Sequence, residues 1–300
     1  MADVADYPIY PDLRGKIALV LGIGQARAPS ADTEPDTPNS WGNGAAIAWM
    51  LAHNGAVLYG CDIDLAAAQH TVERVHAAFP DAVVDVQRAD VTSAADVQQL
   101  VDACVAKHGR IDILINNVGA TAAGDPASMA ESVWDAQINL NLKSVYLSMH
   151  AVLPIMEKQQ QGGGGGGGGG AIVNNASIAG IKFLGKPQVA YNSAKAAVIH
   201  LTRVTGCLYA ARGIRVNALA PGLMFTPLVE RMASSSDPSE RATFQKITKH
   251  NVPMGRMGTA WEVATAAVFL ASNRAAGYIT SQTLVVDGGL TSSTGTGFGQ

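Results

Sequence analysis

The 300-residue chain is short of cysteine, charge and aromatic side chains. Cys61, Cys104 and Cys207 are its only cysteines, too few and too scattered for a disulfide framework or a CxxC metal site. That scarcity points to a reducing, cytoplasmic setting. Charged residues make up 15% of the chain and the formal net charge is -3, which leaves no basic footprint for nucleic acid or an anionic membrane. No apolar run approaches the roughly 20 residues of a membrane span. The opening MADVADYPIYPDLRGK has neither the basic start nor the apolar core of a secretory signal. The seven histidines are dispersed and are read as forming no HxxxH or HxxE array, so no metal centre is expected. No GxSxG elbow is present, which speaks against a hydrolase serine.

What the chain does have is apolar bulk, 48% of its residues, enough for a large core. Seven β-rich runs, KIALVLG, AVLYGCD, VVDVQRAD, IDILINNVG, AIVNNAS, IRVNALAPG and QTLVVDGG, alternate with segments of helical periodicity. The alternation predicts an α/β fold: a doubly wound, mostly parallel seven-stranded sheet in three αβα layers, within one domain. Right-handed crossovers place every strand's carboxyl end on one edge, where such sheets bind ligands. The expected domain spans residues 13–290, after an N-terminal extension over 1–12 and before a tail over 291–300. Two stretches interrupt the rhythm: a polar, Pro-containing insertion at 25–41 and a polyglycine loop at 162–170. A third, about 223–256, with Ser and Pro breaks, is expected to be a substrate lid.

The first strand runs into LGIG, and the first helix is preceded by Gly42-Asn43-Gly44. A pyrophosphate turn needs residues without Cβ, so that N–H groups and a helix N-terminus reach the phosphates. Asp62, ending the second strand, lies 18 residues after Gly44, close to the spacing of about 20 between such a turn and a ribose-binding carboxylate. From Gly22 the spacing fits only if the insertion is looped out. Gly22 and Gly24 are therefore read with Gly42, Asn43 and Gly44 as halves of one phosphate turn. A carboxylate at Asp62 favours NAD over NADP by repelling a 2′-phosphate, and Arg27, inside the insertion, is the cation that could reverse this. Trp41, beside the turn, either stacks on the cofactor or anchors the loop by packing.

The sharpest constellation is Tyr191-Asn-Ser-Ala-Lys195. Tyr and Lys at i and i+4 share a helix face, and a nearby ammonium lowers a phenol's pKa toward the range useful for proton transfer. Ser177, fourteen residues upstream, ends a strand at the ligand edge, where its hydroxyl can hydrogen-bond a substrate carbonyl. With these residues, Asn116-Asn117-Val118-Gly119, Asp90-Val91, Asn141 in NLNLKSV, Pro221-Gly222 with Thr226, and VVDGG at 285–289, the chain resembles the short-chain dehydrogenase/reductase family over about residues 13–290.

The resemblance implies that Tyr191 is the general acid/base and that Lys195 binds the nicotinamide ribose and lowers the Tyr pKa. It further implies that Ser177 polarises the carbonyl and that Asn141 holds a relay water. Asp90 and Val91 would border the adenine, Asn117 and Gly119 would line the cofactor, and Pro221, Gly222 and Thr226 would flank the nicotinamide. Departures from the family pattern are Leu21 in place of Thr, Val118 in place of Ala, and Asn175-Ala176 before Ser177 where many relatives carry Ile-Ser.

The apolar residues after Ser177 (Ile178, Phe183, Leu184, Val189) and after Pro221 (Leu223, Met224, Phe225, Leu228, Val229, Met232) either suit a small hydrophobic alcohol or ketone or, several of them, pack the lid helix onto the body. Lys182, Lys186 and Arg231 are either solvated or attract an anionic substrate. The expected function is an NAD(H)-dependent alcohol dehydrogenase or ketoreductase. The alternatives are an NADPH-dependent 3-oxoacyl-thioester reductase or, outside enzymes, a dinucleotide-binding scaffold or sensor. A homotetramer, or dimer, built on helices at about 134–158 and 190–211 follows from the resemblance.

Overall fold

The structure, a computed structural model, describes residues 7–24, 41–161, 169–226 and 252–294. Most of the expected insertion, polyglycine loop and lid lie outside the described residues, and with them Arg27, Leu228, Val229, Arg231 and Met232.

The seven strands predicted from sequence form one sheet: β1 (Ile17–Leu21), β2 (Val57–Asp62), β3 (Val84–Arg88), β4 (Ile113–Asn116), β5 (Ala171–Asn175), β6 (Arg215–Pro221) and β9 (Thr283–Val286). Their spatial order is β3-β2-β1-β4-β5-β6-β9, and every pairing is parallel. Two short strands, β7 (Met224–Phe225) and β8 (Gly258–Thr259), pair separately. Strands β1, β4, β5 and β6 are buried along their whole length, as a sheet covered by helices on both faces requires. The order reverses between β1 and β4, which opens a crevice at their carboxyl ends.

Helices α1 (Asn43–His53), α2 (Leu65–Ala78) and α7 (Ala260–Ala271) cover one face. Helices α3 (Ala94–His108), α5 (Ser144–Gln161) and α6 (Val189–Ala210) cover the other. Helix ends carry ordinary local signals: Asp64 caps α2 through the N–H groups of Ala66 and Ala67, and Gly109 ends α3 in the left-handed region at φ 77°. The run around Trp134 to Lys158 reads as one helix by periodicity. The structure instead divides it into α4 (Glu131–Ile138), a π-helical turn over Asn139–Lys143, and α5. The wider turn re-aims side chains within an otherwise continuous helix, and Asn141 lies in it.

Candidate active site

The two glycine pairs meet in space. Gly22 adopts φ +79°, a conformation that L side chains rarely take, and a Cβ there would approach Val118 Cγ2 to 2.8 Å. A Cβ on Gly44 would run into the Gly22 carbonyl oxygen and lie 2.5 Å from Asn117 Nδ2. The start of α1 therefore packs directly on the first half of the turn, although twenty-odd residues separate them in the chain. Leu21 brings no hydroxyl, and other groups tie the turn. Gly22 N and Ile23 N donate to the Cys61 carbonyl at 2.9 and 3.1 Å, Asn117 Nδ2 donates to the Gly22 carbonyl at 3.0 Å, and Thr71 Oγ1 donates to the Ile23 carbonyl at 2.8 Å.

No side chain caps α1 at Gly42, so the positive end of its dipole faces the turn. That cradle fits a pyrophosphate. Beside it runs a cleft of about 240 Å3 that brings together Gly22, Gly24, Asp62, Asp90, Val91, Asn117 and Gly119, seven residues expected at the cofactor site.

Asp62 stands at this cleft, at the end of β2. Its Oδ2 accepts from Gly24 N at 3.0 Å and its Oδ1 from Asp64 N at 3.1 Å. Each oxygen keeps acceptor capacity for ribose hydroxyls. Asp90 turns its carboxylate toward Thr92, whose N–H and hydroxyl donate to it at 2.8 and 2.7 Å. Val91 is the apolar neighbour on the cleft wall. Strand register also places Arg88 opposite Asp62, a cation that sequence reasoning missed, because only the β2–β3 pairing reveals the neighbourhood.

Across the crevice, α6 carries Tyr191 and Lys195 one turn apart. Lys195 is 2% exposed, and burial alone brings its pKa down to about 8. Its Nζ donates to the main-chain carbonyl of Asn175 at 2.8 Å. Tyr191 is half-buried, with the Ser177 side chain close enough to favour its phenolate. Asn141 is fully buried. Its Nδ2 donates to the carbonyls of Ala120 and Gln137 at 2.9 and 3.0 Å, and its Oδ1 accepts from Ala120 N at 3.2 Å. A Cβ on Gly119 would lie 2.9 Å from Asn141 Oδ1 and 3.1 Å from Lys195 Nζ, so the two polar groups converge on the same spot. Pro221 and Gly222 continue from β6 against β9, where a Cβ on Gly222 would come 2.7 Å from Asp287 Cα. Thr226 follows β7 as the last described residue of that segment.

Two expectations change. The Tyr191 pKa is raised, not lowered: burial dominates, and the neighbouring Ser177 side chain opposes it. Lys195 Nζ stands 5.7 Å over the phenol ring centroid, within cation–π range, and also donates to the Asn175 carbonyl. Lys182, partly buried, commits its Nζ to main-chain carbonyls, donating to that of Ser293 at 2.6 Å, rather than to an anionic substrate. Trp41 packs rather than lining the cleft: it is 2% exposed, 4.9 Å from the Trp261 ring, with the Arg74 guanidinium 3.5 Å over its own. Contrary to the reading that no histidine stands in an HxxE array, His70 and Glu73 do have HxxE spacing, and their side chains meet at 3.4 Å. Among the described residues no group of three or more His, Cys, Asp or Glu is placed to hold a metal ion, and no helix is long and apolar enough to cross a membrane.

Asn175, read from sequence only as a departure, proves to be a junction. Its Nδ2 donates to Asn117 Oδ1 at 2.8 Å, and Asn117 in turn holds the Gly22 carbonyl. Its own carbonyl holds Lys195. One residue thus links the phosphate turn to the lysine.

Known proteins resemble this chain over most of its length. The sequence model of a family described as enoyl-(acyl carrier protein) reductase matches residues 38–291. The 3-oxoacyl-[acyl-carrier-protein] reductase FabG of Thermotoga maritima is 34% identical over 279 residues, covering 93% of this chain and 98% of that protein. Levodione reductase of Leifsonia aquatica is 35% identical over 250 residues, covering 83% and 90%. The crystal structure of a Burkholderia xenovorans protein described as a putative short-chain dehydrogenase/reductase superimposes with a TM-score of 0.79 at 41% identity, covering 94% and 98%.

Proposed function

Because the chain belongs to the short-chain dehydrogenase/reductase family, we propose that this oxidoreductase interconverts a small hydrophobic secondary alcohol and its ketone with NAD(H). The observation that carries the reading is the placement of the Ser177 side chain beside the Tyr191 phenol, with Tyr191 one helical turn from the buried Lys195, on the sheet edge that also holds the glycine turn. A bound nicotinamide supplies hydride to the carbonyl carbon or accepts it from the carbinol carbon. The protein does the rest.

In the reductive direction the Ser177 hydroxyl donates to the substrate carbonyl oxygen and polarises it. The Tyr191 phenol gives its proton to that oxygen as the carbon–hydrogen bond forms, and becomes phenolate. Burial keeps Tyr191 protonated until then, which suits a general acid. Lys195, with a pKa of about 8, is charged at neutral pH. Its ammonium stabilises the phenolate and returns the proton, and Asn141 Oδ1, converging on the same spot, orients that relay. Oxidation reverses each step. Gly22, Gly24, Gly42, Asn43 and Gly44 would hold the pyrophosphate, Asp62 the adenosine ribose, and Pro221, Gly222 and Thr226 the nicotinamide end. Apolar Ile178, Leu184 and Leu223, packed together near Ser177, favour an uncharged, hydrophobic substrate. The exposed Tyr146, Val204 and Leu208 on α5 and α6 support a homotetramer or dimer through those helices.

A second reading, an NADPH-dependent 3-oxoacyl-thioester reductase, draws on Arg88 beside Asp62 and on the name of the Thermotoga relative. Titrating NADH and NADPH into the protein and into its Asp62→Ala and Arg88→Ala variants separates the two. Tighter NADPH binding by the unmodified protein, lost on Arg88→Ala, overturns the NAD assignment. Tyr191→Phe tests the chemistry: turnover of secondary alcohols and ketones is expected to fall by at least about a hundredfold, and unchanged turnover would sink the reading.

A further inference from the structure

The segment after β9 does more than end the sheet. Asp287 folds it into a tight bend, with Oδ1 accepting from Gly289 N at 2.8 Å and Oδ2 from Thr291 N at 2.6 Å. Three loops around the site then meet on it. Gly222, after β6, approaches Asp287 so closely that a Cβ would come within 2.7 Å of its Cα. Met254 N donates to the Gly288 carbonyl at 3.2 Å. Lys182, five residues after Ser177, reaches over 108 to 111 residues of sequence to donate to the carbonyls of Leu290, Thr291 and Ser293 at 3.4, 3.5 and 2.6 Å. An ammonium has three N–H donors, and here three carbonyls receive them. Among the described residues Lys182 has no carboxylate partner within ion-pair distance. Beneath this clasp Leu290, 7% exposed, packs with Ile178, Leu184, Ala220, Leu223 and Val252, the apolar wall that begins one residue after Ser177.

We propose that Asp287–Ser293 is a strap forming the fixed wall of the carbonyl pocket, and that Lys182 is the positioning residue that fastens it and thereby sets which carbonyl compounds fit. The inference rests on the ketone-reducing function argued above. The strap turns the apolar Leu290 toward the wall, and Lys182 is committed to the strap's main-chain carbonyls. It therefore selects uncharged substrates by size, where a free lysine would select anions.

Lys182→Met keeps the length of the stem and removes the donors. Hydrogen–deuterium exchange over residues 287–293 is expected to speed up by about tenfold in this variant and to return toward the original rate in Lys182→Arg. Unchanged exchange refutes the clasp whether or not the protein turns over any substrate. With a series of aliphatic ketones of increasing size, KM is expected to rise by roughly fivefold. The discrimination between smaller and larger members should flatten, kcat should stay within about twofold, and the nicotinamide dinucleotide Kd should not move. A KM that does not change across the series, alongside faster exchange, refutes the specificity role. If neither protein reduces any ketone, the functional reading fails while the exchange result still decides the strap.

Discussion

Replacing Lys195 with methionine is expected to make the protein more stable at neutral pH while abolishing turnover. Lys195 is 2% exposed, and burial lowers its pKa from 10.5 to about 8. A difference of about 2.5 units corresponds to about 3 kcal/mol of cost for holding the ammonium in the fold, at 1.36 kcal/mol per unit. Below pH 8 both folded and unfolded chains carry the charge, and the whole cost is present. Between about pH 8 and 10.5 the unfolded chain still holds the proton that the folded chain has released, so stability rises with pH through that window.

The substitution removes this cost but leaves the Asn175 carbonyl, now bound at 2.8 Å, without its donor, a loss of about 1 kcal/mol. The variant is thus expected to be about 2 kcal/mol more stable at pH 7 and about 1 kcal/mol less stable near pH 10.5. Urea denaturation of both proteins at several pH values gives the difference. Cys61 and Cys104, each pushed up to about 12 by burial, titrate alike in both proteins and cancel. A variant less stable at pH 7, or a difference that does not change sign with pH, would refute the reasoning. The trade of stability for a buried functional charge is the pattern expected of an active site.

Gly44→Ala forces the α1 start away from the Gly22 carbonyl and from Asn117 Nδ2 at 2.5 Å. Dinucleotide affinity, read by fluorescence titration, is expected to fall by at least about a hundredfold, and unimpaired binding would show that the two halves do not form one turn. Asp62→Ala is expected to weaken NADH binding by about tenfold while leaving NADPH binding unchanged or tighter, and competitive titration of the two checks it. Asn175→Ile removes the donor to Asn117 Oδ1 at 2.8 Å together with a buried Oδ1 that has no partner among the described residues. Its unfolding free energy is expected to stay within about 1 kcal/mol of the original while dinucleotide Kd rises by about fivefold. A larger loss of stability with unchanged Kd would make Asn175 a packing residue only.

Seven strands, their alternation with helices, and the i, i+4 placement of Tyr191 and Lys195 were legible in the chain itself, because each is a local pattern. A buried parallel strand such as IALVL has to be apolar throughout, and one helical turn brings residues four apart onto one face whatever surrounds them. The spacing from Gly44 to Asp62 belongs to the same class, since it spans a single βαβ unit. Where a local pattern was read as an environment it misled. The Tyr–Lys spacing suggested a lowered phenol pKa, but burial raised it even with the ammonium standing over the ring. The even helical periodicity around Asn141 concealed a π-turn.

Only the tertiary structure decided which distant groups meet. Gly22 faces Gly44, Arg88 stands opposite Asp62, Asn175 reaches Asn117, and Lys182 holds Ser293. These partners are set by sheet order, strand register and the approach of loops at one edge, and no spacing along the chain records them. The sequence by itself therefore determined the elements and the residue types available for chemistry. The fold determined their electrostatic surroundings and their neighbours, because burial and long-range pairing exist only once the sheet has assembled.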